Sequence, residues 1–273
     1  MSISPEDVLA GIPGWKGAHY AKLRGGLTNV TWHVVQGGRS GVLKIDEGER
    51  EQPLNTRSME AVIQTTAAKA GLAPKVILAR EGMYFAEYVE GTVWKPSHFD
   101  TDANLEELAA ALERVHAMPL TGRSYDAAFA AKRYIEDISD LDYDTVSRCT
   151  DVIERARKPL NLCCCHNDLV AENLISTPEL MFLDWEYACD NDPLFDLATV
   201  VEHHELNESQ VVLFLDAYFY GDGRRWRENL EKNRKLYLAL VLLWMASLPD
   251  SDADEVKSVA ERFATSCSGV PAT

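Results

Sequence analysis

Residues 166–173 have the sequence HNDLVAEN, and residues 183–186 have the sequence LDWE. Each stretch follows a short apolar run that is typical of a buried strand. A single aspartate after a strand is often only a helix cap or a turn residue. Here Asp168, Asn173 and Asp184 occur together, in the pattern H-x-D-x-x-x-x-N followed by a second aspartate. This combination favours a chemical role over three unrelated caps.

The three side chains suit phosphoryl transfer. That reaction needs a carboxylate to orient the attacking hydroxyl, oxygen ligands to hold Mg²⁺ on the phosphates, and a cation to align the nucleotide. The spacing is that of the catalytic loop of protein kinases, and Asp184-Trp185-Glu186 stands in the place of D-F-G. In this scheme Asp168 is the catalytic residue that accepts the hydroxyl proton. Asn173 and Asp184 then ligate Mg²⁺, which prefers hard oxygen donors.

Two further motifs extend the pattern, D-W-E-Y-A at residues 184–188 and D-P-L-F-D at residues 192–196. Together with residues 166–173 they resemble the choline kinase and aminoglycoside phosphotransferase family, bacterial choline kinases first and thiamine kinases second. The resemblance covers residues 23–204. It implies an α+β, bilobal, protein-kinase-like fold, with a small antiparallel-sheet N-lobe containing one main helix and a larger, mostly helical C-lobe.

The resemblance also implies an ATP site. Lys44 matches the ATP-binding lysine, and Glu60 matches that lysine's partner on a helix. An ordinary strand lysine and an ordinary helix glutamate are the alternatives for these two residues. The remaining residues that the resemblance assigns to ATP are Thr28 and Asn29 in a short phosphate loop and Glu87, Tyr88 and Val89 in an adenine-binding hinge. His166 and Asp196 are assigned to the support of the catalytic loop.

The acceptor is predicted to be a small molecule. Asp184 and Asp196 are only 12 positions apart and no A-P-E sequence occurs, so no segment is available to present a peptide. A quaternary ammonium group is held by carboxylates and by aromatic faces, each face contributing about 0.5–2 kcal/mol. The resemblance to choline kinases suggests Tyr187, Tyr237 and Trp244 as the aromatic faces and Glu202 as the charge partner, although Trp244 suits a core position equally well.

The predicted function is therefore ATP-dependent phosphorylation of a small cationic alcohol, with choline giving phosphocholine. Kinases of thiamine, ethanolamine or an aminoglycoside would use the same machinery with a different pocket. A non-catalytic nucleotide-binding module is the alternative from another class. Such a module would be expected to lack Asp168, Asn173 or Asp184, and all three are present.

Hydrophobic patterning predicts two lobes, at residues 1–90 and 91–273. The first contains strands near residues 30–34, 42–45, 76–79 and 83–89 and a helix over residues 55–70, with Val62 and Ile63 on its apolar face. The second is mainly helical, with strands at residues 162–165, 173–175 and 180–183.

Composition limits the partners and the location. A net charge of −16 over 273 residues opposes general binding to nucleic acid. No signal peptide and no membrane span are predicted, so the expected location is cytoplasmic. Three of the six cysteines are adjacent, Cys163, Cys164 and Cys165, and are predicted to be buried small apolar residues rather than metal ligands. The sequence does not predict the oligomeric state.

Overall fold

The computed structural model describes residues 4–23, 29–46, 56–156 and 162–268. The chain divides into two compact units. The first unit comprises Met1–His98 and Val170–Ala188, and the second comprises Phe99–Leu169 and Cys189–Thr273. This division differs from the predicted lobes of 1–90 and 91–273, because a later segment of the chain returns to the first unit and pairs there with its strands.

The described part of the first unit contains a five-stranded antiparallel sheet in the order β1-β2-β3-β5-β4. Its strands are β1 (His19–Lys22), β2 (Asn29–Gln36), β3 (Arg39–Asp46), β4 (Val76–Arg80) and β5 (Met83–Glu87). Alternate residues of β3 are buried, as the period of two requires, and Leu43 is fully buried opposite Trp32. The turn between β2 and β3 uses Gly37 and Gly38, both with positive φ, as a two-residue hairpin favours.

Two helices pack on this sheet. The short α1 (Pro5–Ala10) contributes Val8 and Leu9 to the core beneath the sheet. Helix α2 (Arg57–Lys69) begins after Thr56, whose side chain accepts the Met59 N–H.

The prediction that Val62 lies on the inner face of α2 is wrong, because its side chain is 62% exposed. The inner face instead carries Ile63 and Ala67 beside three polar residues, Arg57, Glu60 and Gln64.

The segment that returns to the first unit forms a second, three-stranded sheet. It has the order β6-β8-β9, with β6 at Thr92–Val93, β8 at Leu174–Ser176 and β9 at Leu180–Phe182. Leu174 pairs with Phe182, and the Phe182 N–H donates to the Leu72 carbonyl. These contacts explain why residues 170–188 belong to the first unit.

The second unit is mainly helical. Its two short antiparallel strands are β7 (Cys163–Cys165) and β10 (Cys189–Asn191). Its helices are α3 (Asp102–His116), α4 (Ala127–Asp137), α5 (Tyr143–Arg155), α6 (Pro193–His203), α7 (Glu208–Tyr218), α8 (Arg227–Ser247) and α9 (Ala253–Ser268). Helix α8 packs against α4, α5, α6 and α9, and buries Leu238, Leu242 and Leu243 at the centre of the core.

No helix formed by the residues that the structure describes combines the length and the apolar character that a membrane span requires.

Candidate active site

The loop that carries Asp168 follows β7 in the second unit. The side chain of Asp196 is fully buried in the first turn of α6, and its two oxygens accept the backbone N–H groups of His166 (2.8 Å) and Asn167 (2.7 Å). Asn167 has a φ of 64°, an unusual conformation for a residue with a side chain. Hydrogen bonds to a carboxylate are among the stronger ones in proteins, and here they hold the loop in that conformation.

His116, at the end of α3, fixes Asp196 in turn. Its Nε2 lies 3.0 Å from Asp196 Oδ2, and its Nδ1 lies 2.7 Å from the hydroxyl of Tyr218. Because a carboxylate accepts, Nε2 carries the proton, and the Tyr218 hydroxyl donates to Nδ1. Nothing in the sequence spacing of His116 links it to residues 166–196, so its contact with this loop comes from the fold alone.

His204 fixes the other side of the loop. Its Nε2 donates to the carbonyl of Leu169 at 2.9 Å, and its ring stacks on Phe99. Burial lowers the pKa of His204 to about 3, so the ring is neutral at physiological pH. The residue next to Asp168 is therefore held by an imidazole that must stay uncharged.

A pH dependence of stability follows from His204. Its folded pKa of about 3 lies below the usual histidine value of 6.5, so the unfolded chain binds the proton more readily and stability falls as pH drops below 6.5. Between about pH 7 and about pH 5 this residue should remove about 2 kcal/mol of stability. His204→Phe keeps a ring on Phe99 but cannot titrate, so its urea midpoint should fall less over that range. Equal falls in the wild type and His204→Phe would contradict the assignment, and His19→Phe, at an exposed position on β1, should behave as the wild type.

Asp168 is half-buried in the same unit as Tyr237 of α8. Burial raises the pKa of Tyr237, and the negative charge of Asp168 in the same unit raises it further. Trp244, also half-buried, lies two turns beyond Tyr237 and therefore on the same side of α8. Tyr187 is half-buried in the first unit.

Glu202 does not suit the predicted role of charge partner for a cation. Its buried carboxylate accepts from Arg234 at 2.5 Å and from Arg262 at 2.6 Å, so two guanidinium groups already neutralise it. The sequence could not reveal this, because Arg234 and Arg262 come from α8 and α9, far along the chain.

In the first unit, Lys44 of β3 forms an ion pair with Asp184, with 2.7 Å between Nζ and Oδ2. Burial alone would lower the pKa of Lys44, but the charges of Asp184 and Glu60 outweigh it and the pKa is raised. Lys44 is therefore a cation at neutral pH. Asp184 itself adopts a left-handed conformation, with φ 59°, at the start of a short 3₁₀ turn.

Asn173 and Asp184 are brought together by backbone pairing. Asn173 is buried and ends a 3₁₀ turn, and the N–H of Leu183 donates to its carbonyl at 2.8 Å. Leu174, which follows Asn173 in the chain, pairs with Phe182, which precedes Leu183. Two residues with oxygen-bearing side chains, distant in sequence, are thus brought to adjacent positions of the backbone in one unit.

Glu60 lies on the inner face of α2, but its ion-pair partner is Arg57. The Arg57 guanidinium contacts Glu60 at 2.6 Å, Asp46 at 2.5 Å and Glu186 at 3.6 Å, and its side chain is 1% exposed. Burial raises the pKa of Glu60, while the charges of Lys44 and Arg57 act in the opposite direction. Lys44 therefore influences Glu60 through space, whereas Arg57, which sequence reasoning missed, binds it directly.

The predicted adenine hinge begins at Glu87, the last residue of β5, and continues through Tyr88 and Val89. The N–H of Glu87 donates to Lys75 and that of Tyr88 to Ser40, and the Tyr88 ring packs on His33. Hydrogen bonds to adenine would thus have to involve the backbone carbonyls or the Val89 N–H. Of the predicted phosphate loop, Thr28 and the side chain of Asn29 lie outside the described residues.

Comparison with known proteins gives the context for this geometry. Residues 19–229 match the model of the phosphotransferase enzyme family, abbreviated APH. Protein LicA of Haemophilus influenzae is 30% identical over 207 residues, which are 71% of this chain and 61% of that protein. The thiamine kinase of Shigella boydii is 31% identical over 199 residues, which are 71% of this chain and 69% of that protein. This chain thus matches less than two thirds of the length of the Haemophilus protein.

Solved structures agree on the fold. A choline/ethanolamine kinase family protein from Mesorhizobium loti is 26% identical with a TM-score of 0.74, covering 97% of this chain and 94% of that one. The choline kinase LicA from Streptococcus pneumoniae is 22% identical with a TM-score of 0.77, covering 92% and 94%. The predicted protein-kinase-like α+β fold and the predicted family resemblance are both confirmed. The chain belongs to the phosphotransferase enzyme family.

Proposed function

We propose that the chain is an ATP-dependent kinase that phosphorylates the hydroxyl of a small cationic alcohol, with choline as the favoured acceptor. The observation that carries the proposal is the Lys44–Asp184 ion pair, with Asn173 held beside Asp184, in a member of the phosphotransferase enzyme family. A charged lysine beside two oxygen ligands is the set that phosphoryl transfer requires on the nucleotide side.

Lys44 would orient the phosphates of ATP. It is half-buried, charged and fixed on a strand, so it offers a preorganised cation to an anionic ligand. In the structure, Asp184 balances that charge. Binding of ATP would exchange this ion pair for contacts of Lys44 with phosphate oxygens.

Asn173 and Asp184 fit a magnesium site. One amide oxygen and one carboxylate are hard donors, and a partial protein ligand set suits an ion that keeps water and phosphate ligands. Mg²⁺ bound there would supply positive charge to the phosphate oxygens as charge develops. The left-handed backbone at Asp184 fixes the direction of that carboxylate.

Asp168 would accept the proton of the acceptor hydroxyl. The loop that carries it is clamped by Asp196 on one side and by His204 on the other. A base that is positioned before the substrate arrives loses little entropy in the reaction. His166 would only support the loop, since its backbone N–H is bound by Asp196.

Two candidate acceptors have support from relatives. The Streptococcus pneumoniae neighbour is described as a choline kinase, and the Shigella boydii relative as a thiamine kinase. Choline is favoured because the charge of Asp168 acts on Tyr237 and Trp244 lies on the same side of α8 as Tyr237, so that the two rings would offer aromatic surfaces to a trimethylammonium group. Because Glu202 is already neutralised by two arginines, selection of the cationic alcohol would depend on these aromatic surfaces and not on that carboxylate.

An ADP-release assay tests the proposal. The purified chain would be given MgATP with choline, ethanolamine, thiamine or an aminoglycoside at equal concentrations. The proposal predicts the highest kcat/KM for choline. A higher value for thiamine would replace the acceptor but keep the kinase, whereas no acceptor-dependent ADP release from any of the four would refute the proposal.

Asp184→Asn should weaken binding of MgATP by at least about tenfold, because it removes a charged ligand for Mg²⁺. Titration calorimetry with MgATP measures the change. Asp151→Asn, at an exposed ion pair on α5, is the matched control and should bind as the wild type does. Unchanged affinity in Asp184→Asn would remove this residue from the nucleotide site.

A further inference from the structure

Two thiols of the cysteine run meet a histidine in the second unit. Residues two apart on a strand point to the same face, so Cys163 and Cys165 of β7 lie side by side, while Cys164 points the other way. The sulfur atoms of Cys163 and Cys165 are 3.5 Å apart. A ring nitrogen of His116 completes a group whose three ligand atoms all lie within 4.8 Å of one another.

We propose that Cys163, Cys165 and His116 form a binding site for a thiophilic divalent metal of the zinc class, distinct from the oxygen ligands Asn173 and Asp184. The sequence opposed such a site because three adjacent thiols cannot converge on one ion. The structure needs only two of them, since the third ligand comes from α3.

The spacing of the ligand atoms fits tetrahedral coordination. With zinc–sulfur bonds of about 2.3 Å, the sulfur atoms of a tetrahedral site lie about 3.8 Å apart, close to the separation of Cys163 and Cys165. The imidazole nitrogen must move about 1 Å closer to the sulfur atoms to reach the nitrogen–sulfur separation of a tetrahedral site. Three protein ligands leave the fourth position open to water, or to the Tyr218 oxygen, which already contacts His116.

The surroundings of His116 match those of a metal-bound histidine. Its Nε2–H donates a hydrogen bond to the buried Asp196 carboxylate. This fixes the tautomer in which Nδ1 is unprotonated and its lone pair can bind a metal. Carboxylate–histidine–metal chains of this kind orient the ring and increase its basicity. The metal would replace only the Tyr218 contact at Nδ1.

Metal binding would break only weak contacts of the two thiols. The contacts of the thiols with the carbonyls of Asn191 and Asp192 are weak, at 3.7 and 3.5 Å. Tyr218 also borders an open cavity of about 650 Å³, which is lined by the charged side chains of Glu113, Asp222 and Arg225.

Metal binding by the full chain tests the proposal independently of kinase activity, so the two proposals can fail separately. The protein is freed of metal, kept reduced with a phosphine, and titrated with Zn²⁺ against a chromophoric chelator in excess Mg²⁺, which occupies oxygen sites. We expect one equivalent of tightly bound Zn²⁺. Cys163→Ser and Cys165→Ser should each weaken this binding by more than about 100-fold, since even loss of an outer partner costs about 10–100-fold.

Cys164→Ser and Cys267→Ser are the matched controls, because Cys164 points away from the cluster and Cys267 is an exposed thiol elsewhere. Both should bind as the wild type does. Co²⁺ added to the wild type should give thiolate charge-transfer and tetrahedral d–d bands, a readout that needs no variant. The proposal is overturned by an absence of stoichiometric binding and of these bands, or by binding that survives in Cys163→Ser and Cys165→Ser.

Discussion

Asp168→Asn is expected to lower kcat for the favoured alcohol by about 10²–10⁴, the usual contribution of a positioned general base. Asparagine has nearly the same shape but cannot accept the hydroxyl proton. The proposed nucleotide contacts come from Lys44, Asn173 and Asp184, so affinity for MgATP should stay within about twofold of the wild type, a change below about 0.4 kcal/mol. A fall in kcat with unchanged nucleotide binding separates a chemical role from a structural one.

The measurement is steady-state ADP release together with calorimetry of MgATP binding. Glu172→Gln is a matched control, because Glu172 is exposed, belongs to the same motif and has no proposed role. It should retain near wild-type turnover. If Asp168→Asn also retains it, Asp168 is not the base.

Arg57→Ala is expected to have the largest effect on stability. The Arg57 guanidinium, 1% exposed, is shared among Asp46, Glu60 and Glu186, of which Asp46 and Glu60 are themselves almost fully buried. Removing the cation leaves buried carboxylates without their partner, which typically costs about 3–5 kcal/mol. We expect the urea unfolding midpoint to fall accordingly.

The pH dependence of the Arg57→Ala deficit gives a second readout. Burial already raises the pKa of Glu60 in the folded chain, and loss of Arg57 should raise it further. A folded pKa above the unfolded value means that the folded state takes up protons, so the deficit should shrink as pH falls from about 7 to about 5.

Arg155→Ala removes an arginine from an exposed pair with Asp151 and should cost less than about 1 kcal/mol at any pH in this range. A loss in Arg57→Ala no larger than that of Arg155→Ala would show that the buried cluster contributes little.

The elements that the sequence predicted well have strong local signals. Strands β2 and β3 alternate apolar and polar residues around Gly37-Gly38, and the residue spacing of HNDLVAEN marked the loop after β7. The inner face of α2 was harder, because Arg57, Glu60 and Gln64 occupy buried positions there. Polar residues that satisfy one another inside a protein do not produce an apolar stripe.

The remaining site features depend on tertiary contacts that no spacing shows. His116 and His204 reach the loop that carries Asp168 from α3 and from the end of α6, and Arg234 and Arg262 reach Glu202 from α8 and α9. Lys44 was identified through its motif, but its pairing with Asp184 rather than with Glu60 is a matter of distance within the folded unit. A single sequence provides no distances of that kind.

The fate of the γ-phosphate of ATP tests the central claim most directly. The wild-type chain would be incubated with Mg²⁺, choline and ATP labelled with ³²P at the γ-position, and the products separated. The account predicts that the label appears in phosphocholine, in amounts equal to the ADP formed. Label that stays in ATP, or that is released only as inorganic phosphate whichever alcohol is supplied, would contradict it.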